Sequence, residues 1–148
     1  MADITYDTIP HPLFPLSRGE VEDAVELLEN FFGMEELNFG LRIVDDGRIA
    51  NVNSAYLNCT GPTNVLSFPS TEDGKGDEQG NLGEIVLSVD TLNREIKLYG
   101  QNPEEHFVRL LTHALLHLMG YDHGPEMFSI TDSAVESVSP DLRLRTRG

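Results

Sequence analysis

Three histidines carry the strongest chemical signal in this chain. They lie in the segment HALLHLMGYDH, residues 113–123. His113 and His117 are four residues apart. On a helix that spacing places them about 40° apart around the axis and one turn apart along it, so both imidazoles can reach one ion. Gly120 permits a sharp turn through positive φ, and the reversal can bring His123 back over the same spot. Three neutral imidazoles on Zn²⁺ leave a coordination position open, which distinguishes a catalytic from a structural zinc site. Nickel or copper would also suit three histidines. Water on such a zinc ion has a pKa of around 7, so hydrolysis is the expected chemistry.

The spacing H-x-x-x-H-x-x-G-x-x-H is shared with metzincin zinc proteases. Those enzymes carry a glutamate directly after the first histidine as general base. Here that position is Ala114, whose methyl group cannot accept a proton, so an ordinary metzincin peptidase is not expected. Asp122, next to His123, is a candidate for proton transfer; orienting an imidazole or shaping the turn is its other reading. Thr63, Asn64 and Ser67 could line a substrate groove with hydroxyl and amide groups, or serve strand and turn hydrogen bonds. His106 sits roughly 10 Å before His113 along a helix. It is too far for the same ion and is expected at the surface. His11, between Pro10 and Pro12, is expected to be structural or solvated. Cys59 has no local partner for a metal and is expected to be a small buried or half-buried residue.

The histidines need a helix beneath them, and the sequence supplies one. Asn102 is a good N-cap, Pro103 suits the first helical position, and Glu104 and Glu105 favour the positive end of the dipole. Phe107, Leu110, Leu111, Ala114, Leu115 and Leu118 form one apolar face, and Gly120 ends the helix. Upstream, residues 3–7 predict a strand. Ser17-x-x-Glu20 predicts a capping box opening a helix that ends at Gly33. Leu37, Phe39, Leu41 and Ile43 show the strand period. Asp45-Asp46-Gly47 reads as a turn, followed by a weaker helix ending near Asn58. Val65 to Phe68 is a short strand closed by Pro69. Residues 71–81 are acidic and glycine-rich, lack the order of an EF-hand loop, and read as solvated. Leu82 to Val89 reads as a central strand, and Asp90 as the cap of a short helix to about Tyr99. The expected fold is α+β: a single domain over 1–148 with a small mixed four-stranded sheet, about five helices, and a metal-binding helix ending at a glycine turn.

Composition narrows the function. The chain has 148 residues, 39% apolar, enough for one core. Ten Lys and Arg against 25 Asp and Glu give a net charge of −15, which repels a phosphate backbone. Weak binding to naked RNA is therefore expected. The basic stretch at 142–147 reads as a frayed, solvated tail. There is one cysteine, and neither a signal peptide nor a membrane span is visible, so a cytoplasmic location is expected.

Three segments together resemble the YbeY family, metal-dependent endoribonucleases of ribosomal RNA maturation. They are HALLHLMGYDH, Leu57-Asn58 with PTNVLSFP at 62–69, and Leu82-Gly83-Glu84-Ile85-Val86-Leu87-Ser88. With the helix at 17–32, the resemblance covers a core of about 17–125. It implies that His113, His117 and His123 are zinc ligands. It also implies action in ribosomal RNA processing and ribosome quality control, with ribosomal RNA and the small ribosomal subunit, or a protein associated with it, as partners. Members usually carry a basic, arginine-containing stretch between the Leu-Asn and the Pro-Thr; here only Cys59-Thr60-Gly61 intervene. Two other classes stay open: a metal-dependent hydrolase of another substrate, and a ribosome-biogenesis binding protein with reduced catalysis.

Overall fold

The two inner strands of the sheet are apolar on both faces, and the rest of the fold is arranged to cover them. In the computed structural model, which describes residues 2–6, 14–57, 63–122 and 124–147, the strands are β1 (Ala2–Tyr6), β2 (Phe39–Val44), β3 (Val65–Pro69) and β4 (Gly83–Ser88). The helices are α1 (Arg18–Phe32), α2 (Asp46–Leu57), α3 (Val89–Tyr99), α4 (Pro103–Leu118) and α5 (Pro125–Arg147). The sheet order is β1-β2-β4-β3, with β1, β2 and β4 parallel and β3 antiparallel to β4. All but one residue of β2 and of β4 is buried, as expected where helices cover both faces. Leu41, Ile43, Ile85 and Leu87 join α1, α4 and α5 in the larger core. Val44 and Val86 meet Ile49 of α2 in a smaller one. This is the mixed α+β sheet that the sequence pattern predicts. Among the described residues no helix is long and apolar enough to cross a membrane.

Several ends differ from the sequence reading. The Asp45-Asp46-Gly47 segment does not stand alone as a turn; it opens α2. Asp45 accepts from the Arg48 N–H at 2.8 Å with its side chain and from the Ile49 N–H at 3.1 Å with its carbonyl. Ser88, not Asp90, caps α3, its hydroxyl accepting from the Thr91 N–H at 3.3 Å. Residues 142–147 are not a frayed tail. Leu142 is fully buried in α5, and Arg145 reaches Asp23 and Glu26 of α1 at 3.4 and 3.5 Å. The helix persists there because Met127, Ala134, Val135, Val138 and Leu142 bury a continuous stripe.

Asp46 ties α2 to α3 at the end of β4. Its carboxylate accepts from Ser88 Oγ at 2.7 Å, Thr91 Oγ1 at 2.8 Å and Arg94 Nη1 at 2.7 Å. Partial burial pushes its pKa up, but the hydrogen bonds from Arg94, Ser88 and Thr91 outweigh that and hold it below the ordinary 3.8. A depressed carboxylate pKa stabilises the fold above the ordinary value, and that contribution is lost as pH falls through the lowered one. Asp46→Asn is therefore expected to cost about 1 kcal/mol near neutral pH. The gap from wild type in urea melts should close as pH drops below 3.8. A gap that persists in acid would mean the carboxylate charge contributes nothing.

Candidate functional site

α4 sets the position of the histidines. Asn102 caps it, its side chain accepting from the Glu105 N–H at 2.9 Å, and Pro103 opens the first turn. Phe107, Leu110, Leu111, Ala114, Leu115 and Leu118 are all buried, which fixes the roll of the helix against the sheet. His113 and His117 fall beside that stripe and are half-buried. Their ring centroids are 5.1 Å apart with the planes at 80°. The structure thus brings together two imidazoles on one stretch of surface. Among the described residues no three His, Cys, Asp or Glu side chains converge as a metal site; the third histidine of the pattern, His123, lies outside the described residues.

The helix ends in a tight turn. The N–H groups of Met119, Gly120 and Tyr121 donate to Leu115, His117 and Leu116 at 3.0, 3.1 and 3.0 Å. Gly120 takes φ 90°, the left-handed region that glycine enters without strain. Two open depressions share Gly120. One, of about 260 Å³, is lined by Pro69, Ser70, Thr71, Glu72 and His117. The other, of about 620 Å³, is lined by Met119, Tyr121, Asp122, Gly124, Pro125 and Glu126. Asp122 is exposed there, while Ala114 is buried in the core.

The 71–81 loop is more than a solvated excursion. Asp73 accepts from Thr71 Oγ1 and from the Lys75 N–H, both at 2.9 Å, and these bonds lower its pKa. Gly74, at φ 72°, lies directly against the backbone of Met119 and Gly120. The loop buttresses the turn that follows His117.

Thr63 and Asn64 lie just ahead of β3, and Ser67 lies within it. Thr63 and Ser67 are half-buried, Ser67 in β3 opposite Ile85. The Asn64 amide donates to the Glu95 carboxylate at 3.3 and 3.4 Å, and its oxygen accepts from the Val65 N–H at 2.7 Å. Glu95 also meets His106 Nε2 at 2.9 Å, and His106 Nδ1 meets Gln101 Oε1 at 3.2 Å. His106 is only 4% exposed, not the surface residue its helical position suggests. α3 packs alongside α4 and supplies the polar partners that burial of an imidazole requires.

Residues 16–136 match the profile of the family described as Endoribonuclease YbeY. The chain belongs to the YbeY family. Endoribonuclease YbeY of Oleidesulfovibrio alaskensis is 36% identical over 141 residues, covering 83% of each chain. That of Nitratidesulfovibrio vulgaris is 40% identical over 138 residues, covering 83% of this chain and 85% of the relative. The solution structure of TM1509 from Thermotoga maritima shares the fold, with a TM-score of 0.67 over 98% of this chain and 93% of that one at 22% identity. The YbeY match runs from the cap of α1 into α5. It therefore includes the whole histidine segment, the buttressing loop and the first turns of α5.

Sequence reasoning missed two features of this surface. Phe128, on α5, has its ring centroid 6.1 Å from that of His113, with the planes 31° apart. The Gly74–Gly120 contact is the other. Pro125, as a helix-opening residue, was the available signal for the first; the second had none. Asn58, Cys59, Pro62 and His11 lie outside the described residues.

Proposed function

We propose that this protein is a zinc-dependent endoribonuclease that processes ribosomal RNA, with His113, His117 and His123 as the metal ligands. The observation that carries the reading is the paired imidazoles of His113 and His117, held side by side on α4 in a chain of the YbeY family. The donor set fits zinc: two neutral nitrogen ligands on a rigid helix, with a third histidine in sequence just past a glycine turn. A zinc ion held there supplies Lewis-acid chemistry, acidifying water and polarising a phosphoryl oxygen.

The chain's own residues do the rest. The buried stripe of α4 fixes the helix face on which the two histidines stand, and the 71–81 loop abuts the turn that follows. Ala114 can move no proton, so a general acid or base must come from outside the helix. Asp122, exposed in the larger depression, is the nearest carboxylate in sequence to His123. Part of the acidity sits elsewhere: Glu22, Glu26, Glu29, Glu35 and Glu36 line a separate groove of about 370 Å³. The charge of −15 still weakens the grip on free RNA, which favours ribosomal RNA on the small subunit, or presented by an associated protein, in the cytoplasm. Quality control of ribosomes is the role that substrate suggests.

The test is metal analysis of protein purified without added metal, followed by cleavage of ribosomal RNA fragments. One zinc per chain is expected, with cleavage lost on chelation and restored by zinc. Cleavage that is unchanged in metal-free protein would sink the reading. A zinc-bearing protein that cleaves no RNA but hydrolyses another ester or amide would move it to a different hydrolase.

A further inference from the structure

His106 is buried and lies outside the site described above. A buried imidazole needs partners, and His106 has two. Glu95 Oε1 is 2.9 Å from its Nε2, and Gln101 Oε1 is 3.2 Å from its Nδ1. The Glu95 carboxylate also accepts from the Asn64 amide at 3.3 and 3.4 Å. Asn64 is where β3 begins. Its side-chain oxygen accepts from the Val65 N–H at 2.7 Å, and its carbonyl from the Ser88 N–H at 2.9 Å. One carboxylate on α3 is thus tied at once to α4 and to the head of β3.

The same two elements bound the smaller depression. β3 and the residues after it contribute Pro69, Ser70, Thr71 and Glu72; α4 and its turn contribute His117 and Gly120. From Asn64 to Pro69 is five residues, about 17 Å at the rise of a strand. From His106 to His117 is eleven residues, again about 17 Å at the rise of a helix. β3 and α4 pack against each other. They form two members of matched length, joined through Glu95 at one end and bounding the depression at the other.

The join is of a kind that fixes register. α4 rests on the core through its apolar stripe, and apolar burial is non-directional. It resists separation of two elements more than it resists sliding. A hydrogen bond is directional and does not survive stretching to about 3.6 Å. Setting the register of packed elements is the best-attested use of buried polar groups.

We propose that Asn64, Glu95 and His106 form a positioning latch that fixes where α4 stands along β3, and through it the shape of the depression beside His117. The latch residues act through the two elements and are not catalytic. The proposal rests on the endoribonuclease reading above and assigns that site the residues that hold its walls in register.

The experiment compares zinc-loaded full chains: wild type, Glu95→Gln, Glu95→Leu, and Glu95→Leu combined with His106→Leu. Measured are kcat and KM on ribosomal RNA fragments, zinc content, Tm and the amide resonances of residues 113–121. Glutamine keeps an acceptor oxygen for both partners, so Glu95→Gln should match wild type. Replacing both partners of a buried hydrogen bond by apolar groups is nearly neutral for stability, so the double variant should keep its Tm. It should also keep its zinc, because the ligands share α4 and its turn. Its kcat should still fall about 10²-fold, the cost of a displacement of about 1 Å at a reacting centre, with KM changed less. Its resonances at 113–121 should shift, double or broaden, although His113 is seven residues from His106. Glu95 is partly exposed, so Glu95→Leu alone is the milder replacement. It should show the same changes in weaker form, and it decides the matter if the double variant does not fold. Wild-type kcat in the leucine variants would overturn the latch. So would a lower kcat with the 113–121 resonances unmoved, loss of zinc from the double variant, or a Glu95→Gln as impaired as Glu95→Leu. If zinc-loaded wild type cleaves no RNA, the endoribonuclease reading falls, and the resonances alone decide the latch.

Discussion

His117→Ala is expected to leave a folded protein that holds no zinc and cleaves no RNA. The substitution is mild for the fold. His117 is half-buried in the last turn of α4, outside the buried apolar stripe, and alanine is the best helix former. For the proposed centre it is severe, because two imidazoles bind zinc poorly where three bind it well. Several kcal/mol of charge stabilisation come from such an ion, and each 1.4 kcal/mol or so is tenfold in rate, so a fall of at least about 10³-fold is expected. A second readout does not depend on finding the right substrate. Ligand present at about 1,000 times its Kd stabilises a fold by about 4 kcal/mol. Wild type should therefore melt several degrees higher with zinc than without, and His117→Ala should show no such shift. Equal zinc shifts in both proteins would remove His117 from the ligand set. His113→Ala should behave in the same way.

The legible and illegible parts of this molecule divide along a physical line. α4 was readable because every cue for it is local: the Asn102 cap, Pro103, an unbroken apolar stripe and a glycine stop. The i, i+4 pair of histidines needs only that helix to become neighbours. α5 was hidden because Thr131 puts a polar residue in its buried stripe and Pro140 lies within the helix, and both read locally as reasons to end a helix. Packing against α1 and α4 overrides them.

His106 shows the second kind of limit. Its place on α4 follows from sequence, but its burial does not. α3 brings Glu95 to one ring nitrogen and Gln101, just ahead of α4, takes the other, and no periodicity reports which helix packs beside which. Asn64 is the counterpart. It reads as a possible groove residue, yet its amide is committed to Glu95 and to the start of β3. Polar side chains near a site are ambiguous in sequence because the same groups serve substrate and backbone equally well.

The turn after His117 gives the other large expected effect. Gly74 sits at φ 72°, where an alanine is strained in any surroundings. A Cβ there would also collide with the Met119 carbonyl group and come within 2.5 Å of the Gly120 nitrogen. Neither neighbour is a flexible side-chain end, so backbone must move. Left-handed strain costs about 1–2 kcal/mol and overpacking about 1–3, so Gly74→Ala should lose roughly 2–5 kcal/mol. In a domain of this size that is a fall of about 4–20 °C in Tm. The displacement falls on Met119 and Gly120, between His117 and His123, so zinc affinity should drop as well. Gly100→Ala is the control. Its φ is 62° but nothing lies within 4 Å of a Cβ, so it should lose only the strain, about 1 kcal/mol, and keep its zinc. If Gly74→Ala binds zinc as tightly as Gly100→Ala, the loop supports the fold but not the metal centre. A coupled loss of stability and zinc would show that the acidic loop holds the turn that follows His117 and precedes the third histidine in sequence.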